Sequence, residues 1–157
     1  MSEIDYTTPT TAESLWRLHA AELLRFATML VGPSDAGDVV SEAMLRSERF
    51  VVSGVVDSPR AYLFRAVANH ARDLRRARSR RWARDLAGVG PVHVDVPDTF
   101  IDVRRAVARL SVAQRAAIFL AYWHDMTERD IAEMLGVSPG TVHRNLRVAR
   151  DHLRKAL

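Results

Sequence analysis

Apolar residues return along this chain with a period near 3.6, and the stretches that carry the period are separated by short runs of glycine, proline and capping residues. From about Ala12 to Val31, the residues Leu15, Leu18, His19, Leu23, Phe26, Ala27 and Leu30 recur at helical spacing. Thr10 and Glu13 in front of them read as a capping box, and Gly32-Pro33 ends the helix. A second helix spans about 34–50, with Asp35 and Asp38 near its positive end and Val39, Val40, Ala43, Met44 and Ser47 as its inner stripe. A loop at 51–58 follows. Pro59 then opens a third helix to about residue 83, with Leu63, Val67, Ala71 and Leu74 on the core side. Beyond residue 98 the pattern gives four more helices, at about 99–110, 112–125, 128–135 and 139–157. Ser111/Gln114 and Thr127/Asp130 cap the second and third of these, Gly136 stops the third, and Ser138 with Pro139 starts the last. Short β-branched stretches at 51–56 and 92–96 are broken by Gly, Pro or Asp, so the fold class is all-α.

Residues 88–97 hold turn-formers and no helical period, which marks a flexible linker between two small helical domains. The division is 12–84, a linker at 85–98, and 99–157. Neither half is large enough to be more than marginally stable alone. A hydrophobic content of 48% supplies a core. The absence of cysteine excludes disulfides and cysteine-ligated zinc and fits a reducing compartment. The polar start lacks the apolar run of a signal peptide, and no stretch reaches the roughly 18 to 20 apolar residues of a spanning helix. A soluble, cytoplasmic protein without membrane insertion is expected.

The formal net charge is only +4, but it is unevenly distributed. Between residues 60 and 84 stand Arg60, Arg65, Arg72, Arg75, Arg76, Arg78, Arg80, Arg81 and Arg84 against one acid, Asp73. Such a patch points to a polyanionic partner; its bland alternative is a solvated helix face. The six histidines show no metal-ligand spacing, and neither a phosphate-binding glycine loop nor a nucleophile elbow occurs. No catalytic residue, metal, cofactor or small-molecule substrate is expected.

The stretch TERDIAEMLGVSPGTVHRNLRVARDHL has the logic of a helix-turn-helix. Ala132 is small enough for close helix approach, Gly136 suits the positive φ of the turn, and Ile131, Leu135, Val137, Val142 and Leu146 form a shared seam. On the last helix Val142, Leu146, Ala149 and Leu153 lie along one side, opposite Gly140, Arg144, Arg147, Val148 and Asp151. Arg144 and Arg147 are the candidates for base readout in the major groove. Thr141, His143, Arg150 and Arg154 flank them, placed for phosphates.

Over residues 15–157 the chain resembles the bacterial RNA polymerase sigma factors of the extracytoplasmic-function (ECF) type, in the sigma-70 family. LWRLHAAELLRFATMLVG is similar to the family's opening helix, and DAGDVVSEAMLR to the segment that docks on the polymerase clamp helices. SPRAYLFRAVANHARDLRRARSR is similar to the helix that recognises and melts the minus-ten element. LSVAQRAAIFLAYWHDMTERDIAEMLGVSPGTVHRNLRVAR is similar to the minus-thirty-five reader. The resemblance implies a sigma domain 2-like and a sigma domain 4-like unit. It implies core docking through Asp35, Asp38, Val39, Val40, Glu42, Leu45 and Arg46. It implies minus-ten contacts from Arg60, Arg65, Asn69, Arg72, Asp73, Arg75 and Arg76, with rings from Tyr62, Phe64 and Trp82 and an extruded base held near the 51–58 loop. Thr141, His143, Arg144, Arg147, Val148 and Arg150 would read the minus-thirty-five element. The implied partners are RNA polymerase core (clamp helices and flap), double-stranded promoter DNA, the melted minus-ten strand and, as in many relatives, an anti-sigma factor. The mildly acidic linker, with Asp95 and Asp98, would thread a basic polymerase channel.

Some positions depart from the family pattern. Gly37-Asp38 stands where two acids are frequent, Tyr62 where tryptophan is, Leu110-Ser111 where Leu-Pro is, and Asn145 and Val148 where basic residues are. These bear on the promoter sequence read rather than on the class. The alternative function is a helix-turn-helix transcription regulator that is not a polymerase subunit. It would need a ligand pocket or dimer interface in the N-terminal half, where the arginine-rich helix lies instead.

Overall fold

The structure is a computed structural model. It describes residues 11–84 and 98–157, with side chains described for 11–80 and 102–157. The helices are α1 (Ala12–Val31), α2 (Pro33–Val52), α3 (Pro59–Arg84), α4 (Asp98–Ala108), α5 (Val112–Trp123), α6 (Glu128–Leu135) and α7 (Pro139–Ala156). No strand occurs among the described residues. The expected linker at 85–97, with Asp95 and the 92–96 stretch, lies outside them, as do Thr10 and the side chains of Arg81, Trp82 and Asp98.

Local chemistry accounts for most of the boundaries. The N-cap of α1 is Thr11 rather than Thr10: its hydroxyl accepts from the Ser14 N–H at 3.1 Å, and the Ser14 hydroxyl accepts from the Thr11 N–H at 2.9 Å. Glu13 pairs with Arg17 one turn on instead of reaching back to a cap. Gly32, at φ +88°, turns the chain between α1 and α2, and Pro33 takes the first position of α2, where a missing N–H costs nothing. The Ser111/Gln114 and Thr127/Asp130 boxes are both formed. α5 stops at Trp123, two residues earlier than its pattern indicated, because Asp125 adopts a left-handed φ of +49° and the Met126 N–H turns back to the Leu120 carbonyl at 3.1 Å. α2 runs two residues past Phe50 because Val51 reaches the core, at 2% exposure.

The core is continuous across both halves. Phe26 of α1 lies 4.9 Å from Phe64 of α3 and 5.4 Å from Phe119 of α5, ring to ring. Leu23, Leu30, Val40, Val67, Leu120 and Ile131 belong to the same buried cluster. Leu18, read as part of the buried stripe, is instead 73% exposed. At 100° per residue it lies about 60° beyond Leu15, on the flank away from Leu23 and Leu30. Val137, read as part of the helix-turn-helix seam, is also exposed, because it follows Gly136 in the turn and precedes the cap of α7.

Arginines close the contact between the halves. Arg115 is buried and donates to the Leu30 carbonyl at 2.8 Å, to that of Val107 at 3.0 Å and to that of Ala108 at 2.7 Å. These acceptors sit in the last turns of α1 and α4, where carbonyls lack helical partners and the dipole favours a cation. Burial and the neighbouring Arg75 charge lower the Arg115 guanidinium to about 10, so it stays charged at neutral pH.

A shared core should melt as a unit. Denaturant unfolding followed by helical circular dichroism and by tryptophan fluorescence should give coincident transitions. Phe26→Ala should lower stability by about 3–5 kcal/mol, with no separate transition left for either half.

Candidate nucleic-acid interface

In α7 the Ser138 hydroxyl accepts from the Thr141 N–H at 3.2 Å and Pro139 fixes the first turn. Val142, Leu146 and Ala149 are buried on one side, and Val142 and Leu146 share a core cluster with Ile131 and Ala132 of α6. Gly136 joins the two helices at φ +67° and ψ +37°, the left-handed conformation a Schellman-type end requires. The opposite side of α7 exposes Arg144, Arg147 and Val148 as one strip. Arg144 and Arg147 make no hydrogen bond or ion pair among the described residues.

The flanking residues are held by the protein. His143 Nδ1 lies 3.1 Å from the Glu128 carboxylate, tying α7 to α6. The Arg150 Nε donates to the Tyr122 hydroxyl at 2.8 Å, and the guanidinium sits 5.5 Å from the centre of that ring. Thr141 shares a 2.9 Å hydroxyl contact with Ser138. Tyr122, 63% exposed, therefore belongs to this surface, although the sequence reading passed over it. Its signal was a large ring at the end of α5 with no place in the apolar stripe.

The α3 residues divide into two groups. Asn69, Asp73 and Arg76 are exposed, and Arg72 is half-buried beside them. Asn69 and Asp73 border a cavity of about 330 Å³ between α2 and α3, with Phe50, Tyr62, His70 and Arg46 on its other sides. The Phe50 and Tyr62 rings stand 6.2 Å apart at 42°. Rings, an amide and a carboxylate around one cleft are what an unpaired base needs for stacking and edge contacts. The second group is bonded to the protein, although Arg65 also lines the cleft. Arg60 forks onto Glu22 at 2.9 and 3.0 Å, lies 5.0 Å from the Phe64 ring centre and reaches to 3.5 Å from His124. Arg65 donates to the Glu133 carbonyl at 3.0 Å and more weakly to Met134 at 3.4 Å, both at the end of α6. Arg75 donates to the Leu110 carbonyl at 2.9 Å. Phe64 is a core residue at 0% exposure, not a surface ring.

The residues read as a docking face on α2 also divide. Leu45, at 70%, and Arg46 form an exposed patch, with half-buried Glu42 paired to Arg46 one turn away. Asp38 is exposed, whereas Asp35 accepts from Arg78 at 2.7 Å. Val39 and Val40 are 1% and 0% exposed and pack into the core, so they shape this face from beneath rather than touching a partner. No cluster of residues able to hold a metal occurs among the described residues. No described helix is long and apolar enough to cross a membrane.

One partly buried set of ionisable groups joins the halves. Burial alone would raise the Glu22 carboxyl, but hydrogen bonds and charge from Arg60 and His19 outweigh it and hold the group below its ordinary value. Burial, and then the Arg60 charge, push the His124 imidazole down, against a smaller opposing pull from Glu22.

Comparison with known proteins follows the same two-part division. Residues 15–81 match the family model described as Sigma-70 region 2, and residues 100–153 match that described as Sigma-70, region 4. A Mycobacterium tuberculosis protein named ECF RNA polymerase sigma factor SigM is 37% identical over 150 residues, covering 92% of this chain and 76% of that protein. The ECF RNA polymerase sigma factor SigL of the same organism is 33% identical over 154 residues, covering 92% of this chain and 87% of that one. Among solved structures, a chain of the co-crystal structure of the sigma factor RpoE with the anti-sigma factor NepR from Bartonella quintana superposes with a TM-score of 0.70. It covers 92% of this chain and 94% of that one at 22% identity, a likeness of fold.

The His124 environment sets a pH dependence. Its folded-state pKa lies below the free value of 6.5, so the unfolded chain binds its proton more readily. Stability should therefore be full well above 6.5 and fall as pH drops through it. Glu22, held below 4.5, loses its contribution at still lower pH. Urea midpoints measured on either side of pH 6.5 should show this decline, and His124→Gln should flatten the part of it that His124 carries.

Proposed function

The chain belongs to the ECF RNA polymerase sigma factors, and we propose that it binds the polymerase core and carries it to promoters through two separate DNA contacts. The observation behind this reading is that one chain holds both an exposed reader strip on α7 and, on α3, an arginine-bearing face beside a cleft lined by rings, an amide and a carboxylate.

In this reading residues 99–157 set the position on duplex DNA. α7 enters the major groove N-terminus first, and the Arg144 and Arg147 guanidiniums pair with guanine O6 and N7. Val148 offers an apolar contact for a thymine methyl. Thr141, His143 and Arg150 lie at the edges of the strip, where phosphates pass. Their existing bonds to Ser138, Glu128 and Tyr122 hold them in orientation, so less freedom is lost on binding.

Residues 12–84 handle the opened duplex. A minus-ten base turned out of the stack enters the α2–α3 cleft, against Tyr62 and Phe50, with Asn69 and Asp73 at its edge. Arg72 and Arg76 neutralise the adjoining phosphates. The outer face of α2 docks on the polymerase, with Leu45 as an apolar centre and Asp38, Glu42 and Arg46 as a charged rim, the composition protein interfaces favour. The chain then positions the polymerase and performs no bond chemistry of its own, with no cofactor, and it acts in the cytoplasm. Residues 85–98 connect the two contacts.

Run-off transcription tests the reading. Core polymerase plus this chain should give a discrete transcript that core alone does not give. No transcript from any genomic template, together with no association with core, overturns it. Within a responsive promoter, Arg144→Ala or Arg147→Ala should cost about 1–3 kcal/mol of binding at one base position. Arg76→Ala should weaken binding evenly across sequences and reduce its salt dependence.

A further inference from the structure

A groove away from both proposed DNA contacts lies where α1, α4 and α5 meet. α1 and α5 run antiparallel there. The Arg115 guanidinium bonds to Leu30 near the end of α1, and one turn further along α5 the Phe119 ring meets Phe26, one turn earlier on α1. The groove holds about 930 Å³, within the range of small-molecule sites. Its wall is mostly apolar, from Leu24, Met29, Val31, Val107, Phe119 and Trp123. Trp123 is 66% exposed, with its indole stacked on the buried Phe119 ring at 5.9 Å and 8°. An indole held flat over a core ring but left in water is apolar surface that a ligand covers at little ordering cost.

Among the described residues, all the charged side chains that line the groove are arginines: Arg25, Arg104 and Arg115. Arg25 and Arg104 are exposed and make no hydrogen bond or ion pair among those residues. Arg115 is 8% exposed, and its three bonds go to backbone carbonyls rather than to a carboxylate. A buried charge ordinarily has a counter-ion, and here burial and then the like charge of Arg75 weaken the guanidinium's hold on its proton. The three arginines stand at two ends of the groove. Arg115 bonds to Val107 and Ala108, so Arg104, one turn earlier on α4, lies at its end. The Arg25 charge acts on His124, next to Trp123, so Arg25 lies at the other. An anion finds a pair of cations at the α4 end, and the apolar wall runs from there toward Trp123.

We propose that this groove binds a free straight-chain fatty carboxylate, whose head pairs with Arg104 beside the buried Arg115 charge and whose tail lies over Phe119 and Trp123. The planar Arg104 fork suits a carboxylate, to which it donates two parallel bonds. A nucleotide or an inorganic phosphate would satisfy the cations but leave its other polar groups unpaired against Phe119 and Trp123, whereas an alkyl chain covers them. The site shares no residue with the α2–α3 cleft, the docking patch on α2 or the reader strip on α7, so it adds a ligand to the proposed function without altering either DNA contact. Its walls come from both halves of the chain, so a bound ligand stabilises the whole molecule.

Calorimetric titration of the full chain with octanoate, decanoate and dodecanoate, each below the concentration at which it forms micelles, tests this. One molecule should bind, with affinity rising about fourfold for each added methylene. The thermal unfolding midpoint should rise with ligand concentration. Decanol should bind about tenfold more weakly than decanoate, and decyltrimethylammonium should not bind. Arg104→Glu should abolish binding, and Trp123→Ala should weaken it about tenfold. Both side chains are exposed, and helical circular dichroism checks that each variant is folded. Arg129→Glu, an equal change of charge at an exposed site on α6, should bind as the wild type does. Absence of saturable binding by all three acids overturns the proposal. So does an alcohol that matches its acid, or an Arg129→Glu loss equal to that of Arg104→Glu.

Discussion

Arginine side chains closing the ends of helices hold this molecule together. A helix end leaves its last carbonyls without partners, and a buried end needs donors from elsewhere. Arg115 supplies them to α1 and α4 at once, and Arg65 does so for α6. With these carbonyls satisfied, α1, α3 and α5 can bring Phe26, Phe64 and Phe119 together without stranding polar backbone in the core. The two halves thereby share one apolar centre, which relieves the marginal stability each would have alone.

The same residue type serves both cohesion and recognition, and position on the helix decides which. On α3, residues turned toward the C-terminal half (Arg60, Arg65, Arg75) are engaged internally, while Asn69, Asp73 and Arg76 face outward beside the ring-lined cleft. On α7 the division is sharper, because Val142, Leu146 and Ala149 fill one face and leave Arg144 and Arg147 on the other. The helix-turn-helix is thus a rigid reader, whereas the arginine-rich helix is partly committed to holding the chain closed.

The helices themselves were legible because their signals are local. Capping boxes at Ser111 and Thr127, Pro59 and Pro139 at helix starts, Gly32-Pro33 between α1 and α2, and Gly136 at a helix end all act within a turn of where they stand. The start of α1 at Ala12 was legible too, but its cap was read as Thr10 with Glu13, whereas Thr11 caps the helix in a reciprocal pair with the Ser14 hydroxyl. The recognition strip followed from helical period. The internal engagement of Arg65, Arg75 and Arg115 did not, since their acceptors are backbone carbonyls far along the chain, which every residue carries and no pattern marks. The burial of Val39 and Val40 was visible in the inner stripe of α2, so their assignment to a docking surface came from the family resemblance against the periodicity.

Holding two promoter elements with one short chain, in the presence of polymerase, is the central claim, and footprinting on promoter DNA tests it most directly. With core polymerase and this chain together, protection should cover both the minus-thirty-five and minus-ten segments, and thymines in the minus-ten segment should become reactive to permanganate. Protection confined to one element in a transcribing complex, or opening of the duplex by polymerase without this chain, would contradict it.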